Sequence, residues 1–72
     1  MTNKNELKIE MLRFGDTGAV LAEYLGITHP TFSNKLNNIS EFTQEEIYKI
    51  KERYSLSCER VDEIFFTIKV PL

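Results

Sequence analysis

The sequence is poor in the residues that mark disulfide frameworks, metal sites and phosphate-binding loops. It holds one Cys, one His, three Gly, two Pro and no Trp among 72 residues. A single Cys forms no internal disulfide, and neither a second Cys nor a nearby His completes a metal-ligand spacing, so we predict that Cys58 is a small apolar residue on a helix. Because the sequence also has no nucleophile–base pattern and no Gly-rich loop, we expect neither an enzyme nor a bound cofactor or metal.

Long apolar runs are absent as well. No stretch reaches the roughly 18 to 20 apolar residues that a membrane-spanning helix needs. The first residues, MTNKNELK, carry charges with no apolar segment after them, so we expect no secretory signal. We therefore predict a cytoplasmic protein of one domain, with no membrane partner and no small-molecule substrate. The net charge of −2 argues weakly against strong non-specific attraction to DNA, which depends on phosphate contacts.

The sequence does contain five segments in which apolar residues recur at helical spacing, which predicts an all-α bundle of short helices. Side chains suited to capping precede these segments, and Gly or Asn follows the first three. The predicted caps are Asn3 with Glu6, Asp16 or Thr17, Thr28, Thr43 with Glu46, and Ser57, and the predicted ends are Gly15, Gly26 and Asn37–Asn38. The predicted inner residues are Leu7, Met11, Phe14, Leu21, Ala22, Leu25, Phe32, Leu36, Ile47, Ile50, Tyr54, Val61, Ile64 and Phe65, with Phe42 as a core residue in a loop.

The last residues follow a different pattern. From Phe66 onward, apolar residues alternate with Thr67, Lys69 and Pro71, and a period of two is typical of a strand. We therefore predict a helical domain over residues 1–66 and a short extended apolar tail over residues 67–72. The pattern leaves open whether the tail is a strand or continues the fifth helix. It also leaves open whether the tail folds back on the bundle or docks on a partner.

A helix-turn-helix corner is predicted between the second and third helices. Two helices that meet closely favour a small residue midway along the first, here Ala22, and a glycine at the turn, here Gly26, followed by the apolar anchor Ile27. The runs LAEYLGIT, TFSNKLN and EFTQEEIYKI, with a later helix ending in IFF, resemble the small Cro-like and repressor-like regulators of temperate phages. These regulators belong to the lambda-repressor-like class, and the resemblance covers roughly residues 7 to 66. It implies that the exposed residues of the third helix form the reading surface for the DNA major groove.

Several residues depart from that family's pattern. The family usually opens the second helix with Gln, where this chain has Gly18, and opens the third helix with long polar residues, where it has His29 and Pro30. Lys35 is the one basic residue of the third helix, so strong bidentate base contacts by Arg are missing. The predicted partner-binding or DNA-binding residues are Thr28, His29, Pro30, Ser33, Asn34, Lys35, Asn37 and Glu23, with Asp16 nearby.

Two functions remain open at this point. The chain resembles in size and character the modulator-of-repression proteins (anti-repressors) of phages of lactic-acid bacteria. That resemblance implies that it binds the DNA-binding domain of the phage lysogeny repressor, in the cytoplasm of the bacterial host, and blocks or alters operator binding. The alternative is a Cro-like repressor that binds operator DNA as a homodimer. The non-basic corner and the negative net charge favour the first function.

Overall fold

Five α-helices account for most of the chain. The computed structural model describes residues 1–67, and their order is α1 (Lys4–Phe14), α2 (Gly18–Leu25), α3 (His29–Leu36), α4 (Gln44–Tyr54) and α5 (Cys58–Phe65). Over residues 1–67 there is no β-strand, so the predicted all-α class is confirmed. The extended tail predicted over residues 67–72 lies outside the described residues, apart from Thr67, which follows α5 without belonging to a helix. None of the helices within residues 1–67 combines the length and apolar character needed to cross a bilayer.

Each helix begins at a side chain that accepts a hydrogen bond from a backbone N–H of the first turn. These caps are Asn3, Thr17, Thr28, Thr43 and Ser57. At α4 the cap is reciprocal, because Glu46 N donates to Thr43 Oγ1 at 3.1 Å and Thr43 N donates to Glu46 Oε1 at 2.8 Å. Such a capping box satisfies two N–H groups that the helix itself leaves unpaired. Of the two candidates for α2, Thr17 is the cap and Asp16 is not.

The core contains nearly all of the predicted inner residues. The five most buried large side chains are Leu7, Leu21, Phe32, Ile50 and Ile64. Phe42, which lies between α3 and α4, is 7% exposed and packs edge-on against Phe32 and Phe65, with ring centroids 6.0 and 5.5 Å apart. These tilted contacts are favourable for aromatic rings beyond the area they bury.

One prediction about an individual residue is wrong. Phe14 is 53% exposed, because it is the last residue of α1 and its ring covers Tyr54 at the rim of the core, with centroids 4.8 Å apart. Cys58 lies on a helix, as predicted; it is the first residue of α5 and is exposed, and its sulfur lies 3.8 Å from Lys51 Nζ. Neither side chain belongs to the apolar interior.

The first three residues join the end of α3 to the end of α5. The Asn38 amide accepts a hydrogen bond from Thr2 N at 2.8 Å and donates one to Thr2 O at 2.9 Å. Asn3 N donates to Ile64 O at 2.6 Å. Asn38 adopts a left-handed conformation with φ 63°, as predicted for the end of α3, and this conformation is one that Asn tolerates. The end of α3 is therefore attached to the remainder of the bundle by specific hydrogen bonds.

Candidate functional site

α2 and α3 pack against each other and are joined by a short turn. Only Gly26, Ile27 and Thr28 separate the two helices. Gly26 has φ 77°, a left-handed value that an L side chain rarely adopts, and this allows Ile27 N to donate to Ala22 O at 3.0 Å. Ala22 is 2% exposed, as expected where two helices approach closely. The predicted corner is therefore present.

The outer side of α3 is exposed and carries no Lys or Arg. We call this surface the α3 face and define it as Thr28, His29, Pro30, Thr31, Asn34 and Asn37, all of which are exposed. It lies opposite Phe32 and Leu36, which anchor α3 in the core. Ser33, also predicted for the site, is half-buried. Thr31 was not predicted, although its spacing from Asn34 and Thr28 on a helix could have indicated it.

Some polar side chains of the α3 face are already engaged within the chain. Thr28 Oγ1 accepts from Thr31 N at 3.3 Å and donates to Thr31 Oγ1 at 2.9 Å. The Asn37 amide donates to Ser33 O at 2.8 Å and accepts from Lys4 Nζ at 2.9 Å. Within residues 1–67, the side chains of His29 and Asn34 make no hydrogen bond of their own. These two side chains are therefore the polar groups of the α3 face most available to a ligand.

Lys35, one of the predicted contact residues, is half-buried, and its charge is paired within the chain. Its Nζ lies 2.6 and 2.8 Å from the two carboxylate oxygens of Glu46 on α4, and its side chain is 12% exposed. Burial raises the pKa of Glu46, but hydrogen bonds from Lys35 and Thr43 outweigh burial and lower the pKa overall. The carboxylate is thus charged at neutral pH and neutralises the only cation of α3.

The sequence placed Asp16 near the predicted binding surface, but the structure shows that its carboxylate is buried in contact with α4. Arg53 donates to both of its carboxylate oxygens, with Nε at 2.7 Å and an Nη at 2.9 Å, and the Tyr54 hydroxyl donates at 2.6 Å. The Arg53 hydrogen bonds hold the pKa of Asp16 below its usual value, against the effect of burial. Burial and the neighbouring carboxylate raise the pKa of Tyr54. The Arg53 guanidinium also lies over the Tyr24 ring, 4.6 Å from its centroid. Glu23 remains exposed on α2.

Gly18 and His29, the first residues of α2 and α3, lie against each other. A Cβ atom at Gly18 would lie 3.0 Å from His29 Nε2 and 3.5 Å from His29 Cδ2. The first of these distances is shorter than normal carbon–nitrogen contact, so the ring occupies space that a side chain at position 18 would take. The sequence showed that Gly18 departs from the family's Gln, but it did not show that His29 uses the resulting space.

The cations near the α3 face are few. Lys4 of α1 reaches the edge of the α3 face, where its Nζ donates to the Asn37 side chain. The sequence did not predict Lys4 for the site, because it belongs to another helix.

Among residues 1–67, no group of three or more His, Cys, Asp or Glu side chains is placed to hold a metal ion. No protein-family model, curated protein or solved structure matches this chain.

Proposed function

We propose that this protein is a regulator of a phage genetic switch that acts by binding another protein. Its partner is the helix-turn-helix DNA-binding domain of the phage lysogeny repressor, and its effect is to block or alter operator binding in the bacterial cytoplasm. The motif resemblance supports the phage setting. The structure supports the choice of a protein partner through one observation, the ion pair between Lys35 and Glu46.

This ion pair matters because DNA affinity depends mainly on Lys and Arg contacts with phosphates. A reading helix whose only cation is neutralised from the adjacent helix contributes little of that attraction. The α3 face instead presents two uncommitted polar side chains, His29 and Asn34, beside the ring of Pro30. A mixed apolar and polar surface of this kind is typical of protein–protein contacts.

The repressor domain suits this surface because its own DNA-binding side must be basic. Glu23, which is exposed on α2 three residues before the turn at Gly26, supplies a negative charge near the corner. Complementary charges of this kind orient partners and speed their association. Masking the basic side of the repressor would prevent it from reaching DNA.

The test is a gel-shift titration with the proposed partner, the phage lysogeny repressor, and its operator DNA, at a fixed salt concentration. The chain is added first to DNA alone and then to the preformed repressor–operator complex. We expect no shift of DNA by the chain alone, together with release or altered migration of the repressor complex. A shift of operator DNA by the chain alone at submicromolar concentration would contradict the proposal.

Variants locate the surface. His29→Ala combined with Asn34→Ala removes the two uncommitted polar side chains of the α3 face and should abolish the effect on the repressor complex. Glu52→Ala is the control, because Glu52 is an exposed polar residue of α4 outside the α3 face. If the double variant acts like the unmodified chain, the α3 face is not the binding surface.

Operator binding in the manner of Cro is the second candidate, and two observations favour it. Exposed Asn34 is of the residue type that reads adenine through paired hydrogen bonds, and Lys4 at the edge of the α3 face is placed where a phosphate could lie. On this alternative, Asn34→Ala would reduce discrimination at one base pair by about 1–3 kcal/mol. Lys4→Ala would weaken binding to all sequences and lower the salt dependence by about one charge.

A further inference from the structure

Gly18 and His29 lie against each other at the starts of α2 and α3. We infer that Gly18 is a positioning residue: because it has no side chain, the His29 imidazole can lie against α2 in the orientation that the partner contacts. This inference rests on the proposed function, because it names how one residue of the α3 face is prepared for the repressor domain.

The orientation follows from the atoms that face each other. The ring edge carrying Nε2 and Cδ2 is turned toward Gly18, at 3.0 and 3.5 Å from the position of a Cβ there. The opposite edge carries Nδ1 and is turned away from Gly18. His29 is the first residue of α3 and is exposed, so this second edge is accessible to a ligand. An imidazole nitrogen on this edge can donate or accept one hydrogen bond with a partner.

A methyl group at position 18 would disturb the ring and little else. The contact with Nε2 would be tighter than most real Cβ contacts, and the exposed His29 ring has room to give way, so the ring would shift outward by a few tenths of an ångström. The Phe32 ring would lie 3.5 Å from the new Cβ, which is ordinary van der Waals contact, so the core is not disturbed. Gly18 lies in a helix without a left-handed φ, and Ala is the better helix former there. Gly18→Ala should therefore leave the folded state as stable or make it slightly more stable.

Gly18→Ala should thus weaken binding without lowering stability. A glycine needed only for the fold would instead lower the stability when replaced. We expect Gly18→Ala to weaken binding to the repressor's DNA-binding domain about three- to tenfold, the range that one hydrogen bond covers. The thermal midpoint should stay the same or rise. His29→Ala should weaken binding by a similar factor.

The matched control is Gly18→Ala made in a chain that lacks the His29 imidazole. In the His29→Ala background, Gly18→Ala meets no imidazole, so it should have no further effect on binding. The four proteins form a double-mutant cycle, measured by calorimetric titration with the isolated repressor domain. If the two substitutions weaken binding independently, so that the double variant shows the product of the two single effects, the inference is overturned, since Gly18 then does not act through His29.

The position of the ring can be observed without any partner. The chain has one His, so its imidazole proton signals are assigned without ambiguity. We expect cross-relaxation between the imidazole protons and the Gly18 α-protons in the unmodified chain, and a change in the imidazole shifts in Gly18→Ala. Unchanged imidazole shifts would overturn the inference. If the unmodified chain fails to bind the repressor, the proposed function is contradicted. If the unmodified chain binds and Gly18→Ala binds equally well, only the role of Gly18 is contradicted.

Discussion

The Nζ atom of Lys35 lies within 2.8 Å of both carboxylate oxygens of Glu46, on the helix that follows the corner. Glu46 thereby has two tasks, because the same carboxylate closes the capping box at the start of α4. The single cation of α3 is neutralised by a residue that α4 needs for its own N-terminus.

Glu46→Gln should increase affinity for DNA of any sequence. The amide keeps an acceptor for Thr43 N but no longer neutralises Lys35, so the corner gains one effective positive charge. We expect the slope of log affinity against log salt concentration to steepen by about 0.9, the value for one phosphate contact. Fluorescence anisotropy with a random-sequence duplex at several salt concentrations measures this slope. Glu45→Gln is the matched control, because Glu45 is exposed and pairs with Lys49 rather than Lys35. Equal slopes for the two variants would show that the Lys35 charge does not reach DNA.

Asp16→Asn should lower the free energy of unfolding by about 2 kcal/mol at neutral pH, since it leaves the half-buried Arg53 without its carboxylate. The effect depends on pH because Arg53 lowers the pKa of Asp16 in the folded state. A carboxyl with a lowered folded pKa adds stability above its unfolded pKa, near the usual 3.8, and this stability is lost as the pH falls through the folded pKa. Urea denaturation at pH 7 and at successively lower pH should therefore show the gap between the two proteins closing. Asp62→Asn, at an exposed position of α5, is the control. A gap that stays constant with pH would contradict the assigned role of Asp16.

Gly26→Ala should destabilise the chain by about 1–2 kcal/mol, because position 26 requires a left-handed backbone. No atom lies within 4 Å of the position its Cβ would occupy, so the expected cost is conformational and not steric. Asn tolerates the left-handed region better than Ala, so Gly26→Asn should recover part of the loss. Thermal denaturation of the three proteins gives the comparison. Equal losses for Ala and Asn would mean that contact with the side chain, and not φ, determines the cost.

Substitutions at Asn38 should separate its side-chain hydrogen bonds from its backbone conformation. Asn38→Gly keeps access to φ 63° but removes both bonds to Thr2, and we expect a loss of about 1–3 kcal/mol. Asn38→Ala should cost about 1 kcal/mol more, because Ala resists the left-handed region. Chemical denaturation gives both values, and amide exchange at Thr2 should speed up in both variants. If exchange at Thr2 is unaffected, the Asn38 side chain does not hold the first residues.

The helices and most of the core could be predicted because their signals are local. Thr43 and Glu46 are three residues apart, and Ala22 and Gly26 are four apart, so their roles follow from helical geometry alone. Phe14 has the right spacing for the inner face but lies at the end of α1, where the core has already ended. Asp16 and Arg53 are 37 residues apart, and no spacing rule joins them. The same limit applies to Lys35 and to the contact of His29 with Gly18. Helical periodicity identifies the exposed side of α3, but only the packing of other helices shows which of its side chains are already paired.

The hydrogen bonds of Asn38 also bear on the entropy of binding. α3 is attached near its end, through Lys35, to Glu46 of α4, and just beyond its end, through Asn38, Thr2 and Asn3, to α5. The backbone of α3 is therefore held at two places before any partner arrives. Ordering a flexible side chain on binding costs about 0.5–1.5 kcal/mol. For Thr28 and Asn37, whose side chains are hydrogen-bonded within the chain, this cost is already met by folding. Binding a partner at the α3 face should therefore cost less conformational entropy than binding the same partner at a flexible loop, so a smaller contact area could give a stable complex.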